Sequence, residues 1–157
     1  MVVHRRLLAL LIAVAALAVL AVSTPAGATG EPTTKCAAYA VLKAENEVPP
    51  SASKAFGAAA VHIDGTTLSL AVTIVNPARE VFFAGHIHDG DVGANGPVVV
   101  PLFLGPDTNR KLIVQAARME IDATTAAGIC ADVDGFYVNY HTRAIPSGAI
   151  RGQLIEL

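Results

Sequence analysis

The chain has 157 residues, 53% of them hydrophobic, with 11 basic and 13 acidic side chains and a formal net charge of −2. That balance excludes the basic footprint of a nucleic-acid binder. Low charge with many Ala and Val is not by itself a membrane signal, because the apolar residues concentrate at one end.

That end comes first. Met1 to Arg6 carry His4, Arg5 and Arg6, Leu7 to Val22 are apolar without a charge, and Ser23-Thr24-Pro25 break the run. Ala26-Gly27-Ala28 then places small residues where a signal peptidase reads them. This order predicts a secretory signal peptide over residues 1–28, cleaved near Ala28, and hence a secreted, extracellular protein. The apolar run falls short of the ~20 residues of a spanning helix, and no later stretch is long enough, so no membrane span is expected after cleavage. Losing Arg5 and Arg6 leaves 9 basic against 13 acidic residues, a charge of −4. Nothing in that balance suggests a nucleic-acid partner.

Residues 29–40 read as a lead-in segment, polar from Thr29 to Thr34, and residues 41–157 as one domain. Short alternating segments separated by turn residues then predict an all-β sandwich or barrel. Val61 and Ile63 alternate with His62 and Asp64, Asp64-Gly65 turns, and Leu68, Leu70, Val72 and Ile74 share one face of the next strand. Glu80 to His88 reads as a strand with Phe82, Ala84, His86 and His88 on one face. A loop with Gly90, Gly93 and Gly96 follows, then a strand over Val98 to Leu104 with Pro97 and Pro101 marking an edge. Lys111 to Ile121 is a strand of mixed periodicity, and Ala123 to Asp134 fits either a short helix or an irregular connection. Phe136 to His141 and Ala149 to Ile155 are the last strands.

Cys36 and Cys130 are an even pair, which in an exported protein predicts a disulfide. Chain-entropy arithmetic for so large a loop gives ~4–5 kcal/mol.

His86 and His88 lie two apart on a strand and therefore project from one face. His141 ends the Phe136 strand, and three imidazoles converge if that strand is a neighbour. Neutral imidazoles suit Zn or Cu, with Asp89 and Asp91 near enough to hold the rings. The alternative is a polar sheet face whose histidines bond the Gly-rich turn. Asp89, Asp91 and Asn95 do not form a calcium loop, because its twelfth position is Val100. No nucleophile elbow, phosphate loop or HExxH is present. Glu45 and Glu47 form an acidic pair, either solvated or bonded to a basic residue, with Arg151 as one candidate partner.

Three segments carry a family resemblance. They are Glu47-Val48-Pro49-Pro50 with Gly57; His86-Ile87-His88-Asp89-Gly90 with Asn95-Gly96-Pro97; and Tyr137-Val138-Asn139-Tyr140-His141 with Ile150-Arg151-Gly152-Gln153. In this order and spacing the chain resembles the CHRD (chordin) domain over about Val41 to Leu154. The resemblance implies an immunoglobulin-like, Greek-key β-sandwich or barrel. It implies no catalysed reaction, and the leading expectation is a non-enzymatic extracellular module that binds a protein or cell-surface partner, with Glu47, Asp89, Asn95, Asn139, Arg151 and Gln153 as motif positions. Ala149 departs from the family, which usually has Glu there. A weaker resemblance joins Gly85 to His88 to the metal strand of copper-zinc superoxide dismutase, which makes a metal-dependent redox enzyme the alternative. A structural envelope protein is a further one.

Overall fold

The computed structural model describes residues 34–102 and 106–157. The signal peptide expected over 1–28 lies outside the described residues, as does the C-terminal end of the strand expected to reach Leu104.

Among the described residues nine strands form one antiparallel sheet. They are β1 (Lys35–Lys43), β2 (Phe56–Asp64), β3 (Thr67–Val75), β4 (Phe82–Asp89), β5 (Val98–Pro101), β6 (Leu112–Glu120), β7 (Phe136–Thr142), β8 (Ile150–Gln153) and β9 (Ile155–Glu156). Their order is β5-β4-β7-β8-β1-β2-β3-β6, with β9 on β1. The sheet curls into a half-barrel, which bears out the all-β sandwich or barrel expectation. β1 starts at Lys35, inside the stretch read as lead-in. Between β6 and β7 the chain forms helix α1 (Ala123–Ala131), so the helical reading of that connection is the right one. Asp122 caps it by accepting the Thr125 N–H at 2.8 Å.

Alternation drives the core. Ala38, Ala40 and Leu42 of β1, Val61 and Ile63 of β2, and Leu68, Leu70, Val72 and Ile74 of β3 all point inward. β2 and β3 pair without slippage from Phe56↔Val75 to Asp64↔Thr67 across the predicted turn. Gly65 supplies the positive φ of 62° that such a turn needs. Cys36 on β1 and Cys130 on α1 form the expected disulfide, tying the helix to the sheet across a separation of 94 residues.

One expected face is wrong. The strand period puts Phe82 with His86 and His88, yet Phe82 is fully buried with Ile87 in the core. The register explains this. Phe82 pairs with Thr142 and Ala84 with His141, so β4 carries an extra residue there. A bulge of one residue reverses the alternation before it and leaves the histidines after it unaffected.

Candidate metal centre

β4 lies between β5, at the sheet edge, and β7. His86 sits opposite Asn139 and His88 opposite Tyr137, while His141 sits opposite Ala84. His86 and His88 share a face by the period of the strand, and His141 reaches them diagonally across the ladder. One ring nitrogen from each of the three histidines falls within a cluster no wider than 4.8 Å. His88 and His141 are buried, at 9% and 8% exposure, and His86 is half-buried.

The hydrogen bonds assign the tautomers. His88 Nδ1 lies 2.8 Å from the Gly96 carbonyl, and His141 Nδ1 lies 2.9 Å from the Pro146 carbonyl. A carbonyl only accepts, so both Nδ1 atoms carry the proton and both Nε2 atoms present lone pairs. His141 Nε2 faces His86 Nδ1 at 3.0 Å. His88 Nε2 is buried and has no hydrogen-bond partner among the described residues. Burial first, and then His141 and His88, push the His86 imidazole down to about 4. Burial also lowers His141, against the pull of the Pro146 carbonyl. Both rings are therefore neutral near pH 7, the form that can ligate a metal.

The loop after β4 is built around this face. Gly96 packs so tightly on the Asp89 backbone that any Cβ would collide with the Asp89 carbonyl. Arg151 of β8, 2% exposed, donates to the carbonyls of Ala94 at 2.8 Å and Asp91 at 2.9 Å. Gln153 donates to Gly90 and Asp134, and Asn95 donates to the Val48 carbonyl. Tyr137 stacks under His88 with rings 4.7 Å apart and only 9° from parallel. The Arg151 guanidinium lies over the Tyr137 ring as well, 3.3 Å from its centre. Tyr137 thus contacts both a buried cation and an imidazole, and the same cation fastens the loop whose Gly96 carbonyl holds that imidazole.

The predicted residues fall into three groups. His86, His88 and His141 come together. Arg151, Gln153 and Asn95 hold the loop, while Glu47 and Asn139 form a neighbouring buried pair beside Arg151. Asp89 is exposed, and the acceptors on the rings are the Gly96 and Pro146 carbonyls rather than Asp89 or Asp91. Backbone acceptors leave no residue-type signal, although the glycines around them do. His62 is exposed on β2 and stands outside the cluster. Ala149, in place of the family's usual Glu, is fully buried, and its carbonyl accepts from Ser51 at 2.6 Å.

The CHRD domain family matches residues 38–154, and the chain belongs to that family. No curated protein and no solved structure matches the chain.

Proposed function

We propose that this is an exported binding module in which His86, His88 and His141 hold one divalent transition-metal ion, Zn²⁺ or Cu²⁺. The observation that carries the reading is the pair of Nδ1–H bonds to backbone carbonyls, which leaves the His88 Nε2 lone pair buried and unpartnered beside two other ring nitrogens. Metal-bound histidines in general donate their other nitrogen in this way. Two nitrogens at ~2.0–2.1 Å from a tetrahedral ion stand ~3.3 Å apart, so the observed 3.0 Å between His86 and His141 needs only a small opening.

A disulfide and a CHRD domain fit an extracellular setting. The partner in this reading is an extracellular protein or cell-surface ligand. A two-metal dismutase centre has less support, because His62, the one other histidine among the described residues, faces solvent away from the cluster.

Titration calorimetry of the mature, untagged protein with Zn²⁺ and with Cu²⁺ tests the site. One ion per chain is expected. His86→Ala and His141→Ala should each weaken binding by about tenfold or more, as loss of a ligand or its support does. No saturable binding to wild type would make the histidines structural. Equal binding by wild type and His141→Ala would break the three-histidine set.

A further inference from the structure

Beside the histidines lies a second polar arrangement that the metal reading leaves unused. Glu47 is 6% exposed and Asn139 is 3% exposed. The Asn139 amide donates to the Glu47 carboxyl. Yet Glu47 Oε1 and Asn139 Oδ1 are both buried and both lack a partner among the described residues. Two orphan acceptors on two side chains already joined by a hydrogen bond are a costly arrangement in a dry site.

A cation could satisfy both oxygens, but the Arg151 guanidinium is already the positive neighbour of Glu47 and would repel it. A single proton on Oε1 satisfies both without adding charge. The carboxylic acid then donates to Asn139 Oδ1 while Asn139 Nδ2 donates back to the carboxyl. We propose that Glu47 and Asn139 form such a one-proton acid–amide pair, a proton-operated latch that fastens the Glu47–Pro50 segment to β7 and β8 and lets go as pH rises.

The surroundings fit a neutral acid. Gly148 packs against the carboxyl so closely that a Cβ would fall 2.5 Å from Glu47 Oε2. Burial pushes the Glu47 carboxyl up to about 7, against the opposing pull of Arg151 and of the Asn139 bond. The charged groups facing it are Arg151 from β8 and Glu45, which shares the lining of a cavity of about 310 Å³ with Glu47. β7 contributes the neutral Asn139, the turn before β8 contributes Gly148, and the loop after β4 contributes Val92 and Gly93. Of these charged groups only Arg151 opposes protonation, and its guanidinium is engaged by the carbonyls of Ala94 and Asp91.

The latch reaches the loop as well, since the Val48 carbonyl next to Glu47 accepts from Asn95 at 2.7 Å. Ionisation removes the bond to Asn139 Oδ1 and sets two acceptors face to face, which loosens Glu47, Val48 and, through Asn95, the loop.

The sign follows from linkage. A carboxyl whose folded-state value is raised binds its proton more tightly folded than unfolded. Its stabilising contribution is full below the unfolded value of about 4.5 and is lost as pH rises through about 7. Between pH 5 and pH 8 the unfolding equilibrium constant of wild type should rise by on the order of tenfold or more relative to Glu47→Gln. Glutamine keeps an N–H donor for Asn139 Oδ1 and cannot ionise. Referring each pH to Glu47→Gln cancels the pH-dependent contributions that the two proteins share.

Urea titrations of the two proteins in chelator-treated buffer measure this without metal. Carbon NMR of the Glu47 carboxyl in labelled wild type reads the midpoint directly. Divergence of the two stability curves above pH 5 and a midpoint near 7 are expected. Parallel curves, or a midpoint near the ordinary ~4.3, would overturn the latch. Because the buffer holds no metal, failure of the zinc or copper titration leaves this result standing.

Discussion

Replacing Arg151 by Met should be among the most damaging single changes in the domain. Arg151 is the largest of the fully buried side chains. Its guanidinium makes two short bonds, to Ala94 O at 2.8 Å and Asp91 O at 2.9 Å, and weaker ones to Asn95 and Gln153. Hydrogen bonds to a charged donor contribute ~1.5–3 kcal/mol each, so the two short ones alone imply ~3–6 kcal/mol. The stacking on Tyr137 at 3.3 Å adds ~1 kcal/mol. Methionine recovers part of this by filling the volume, which sets the expected net loss at about 3 kcal/mol. Urea unfolding should show a lower midpoint at unchanged slope. Arg151→Lys should recover less than half, because an ammonium cannot fork between two loop carbonyls. A loss under 1 kcal/mol for Arg151→Met would refute the reasoning, since the loop would then hold without its clamp.

Protein recovered from culture medium should have an intact mass that starts at Thr29 and should show no free thiol on denaturation without reductant. Cys36→Ser with Cys130→Ser should cost ~3–4 kcal/mol in urea unfolding, and a loss under 1 kcal/mol would count against the cross-link as a main support. Gly96→Ala must displace the loop, because the new Cβ collides with the Asp89 carbonyl. It should cost ~2 kcal/mol and weaken zinc binding by moving the carbonyl that holds His88, and calorimetry matching wild type would show that this carbonyl does not position the ring.

Much of the frame was legible because the sequence pattern and the physics agree locally. The β2–β3 hairpin announces itself through Leu68, Leu70, Val72 and Ile74 and the Asp64-Gly65 turn, and the ladder keeps the register that turn sets. His86 and His88 needed only the period of a strand. Their meeting with His141 needed β7 to lie against β4, which no local pattern fixes. β1 was obscured because Ala38 and Ala40 carry its inward face, and alanine alternation barely differs from a polar lead-in. α1 was ambiguous for a related reason, since within its nine residues only Ala126 and Ile129 are buried. β6 looked mixed because Leu112 and Val114 are apolar yet exposed, opposite the inward Ile113. The burial of Glu47 was not legible, since an acidic residue in the Glu47-Val48-Pro49-Pro50 segment reads equally as solvated or as paired with a basic residue.

The hydrogen-bond accounting separates structural polar residues from the candidate site. Asn76 is fully buried and spends both ends of its amide on Glu80, donating to its carbonyl at 2.8 Å and accepting its N–H at 2.9 Å. Glu80 keeps one oxygen unpartnered, but the other accepts from Ser53 and Lys54. Those groups pin a turn, and nothing further is required of them. Three further buried atoms without partners among the described residues lie on or beside β4 and β7. His88, Asn139 and Glu47 each offer a buried lone pair with no donor, and all three occur within the segments that mark the family. A fold under selection for stability alone would replace such groups with apolar ones of similar size at little cost. On the proposed readings the unsatisfied atoms take different partners, a metal ion at an imidazole nitrogen flanked by two others and a proton at a carboxyl facing an amide oxygen.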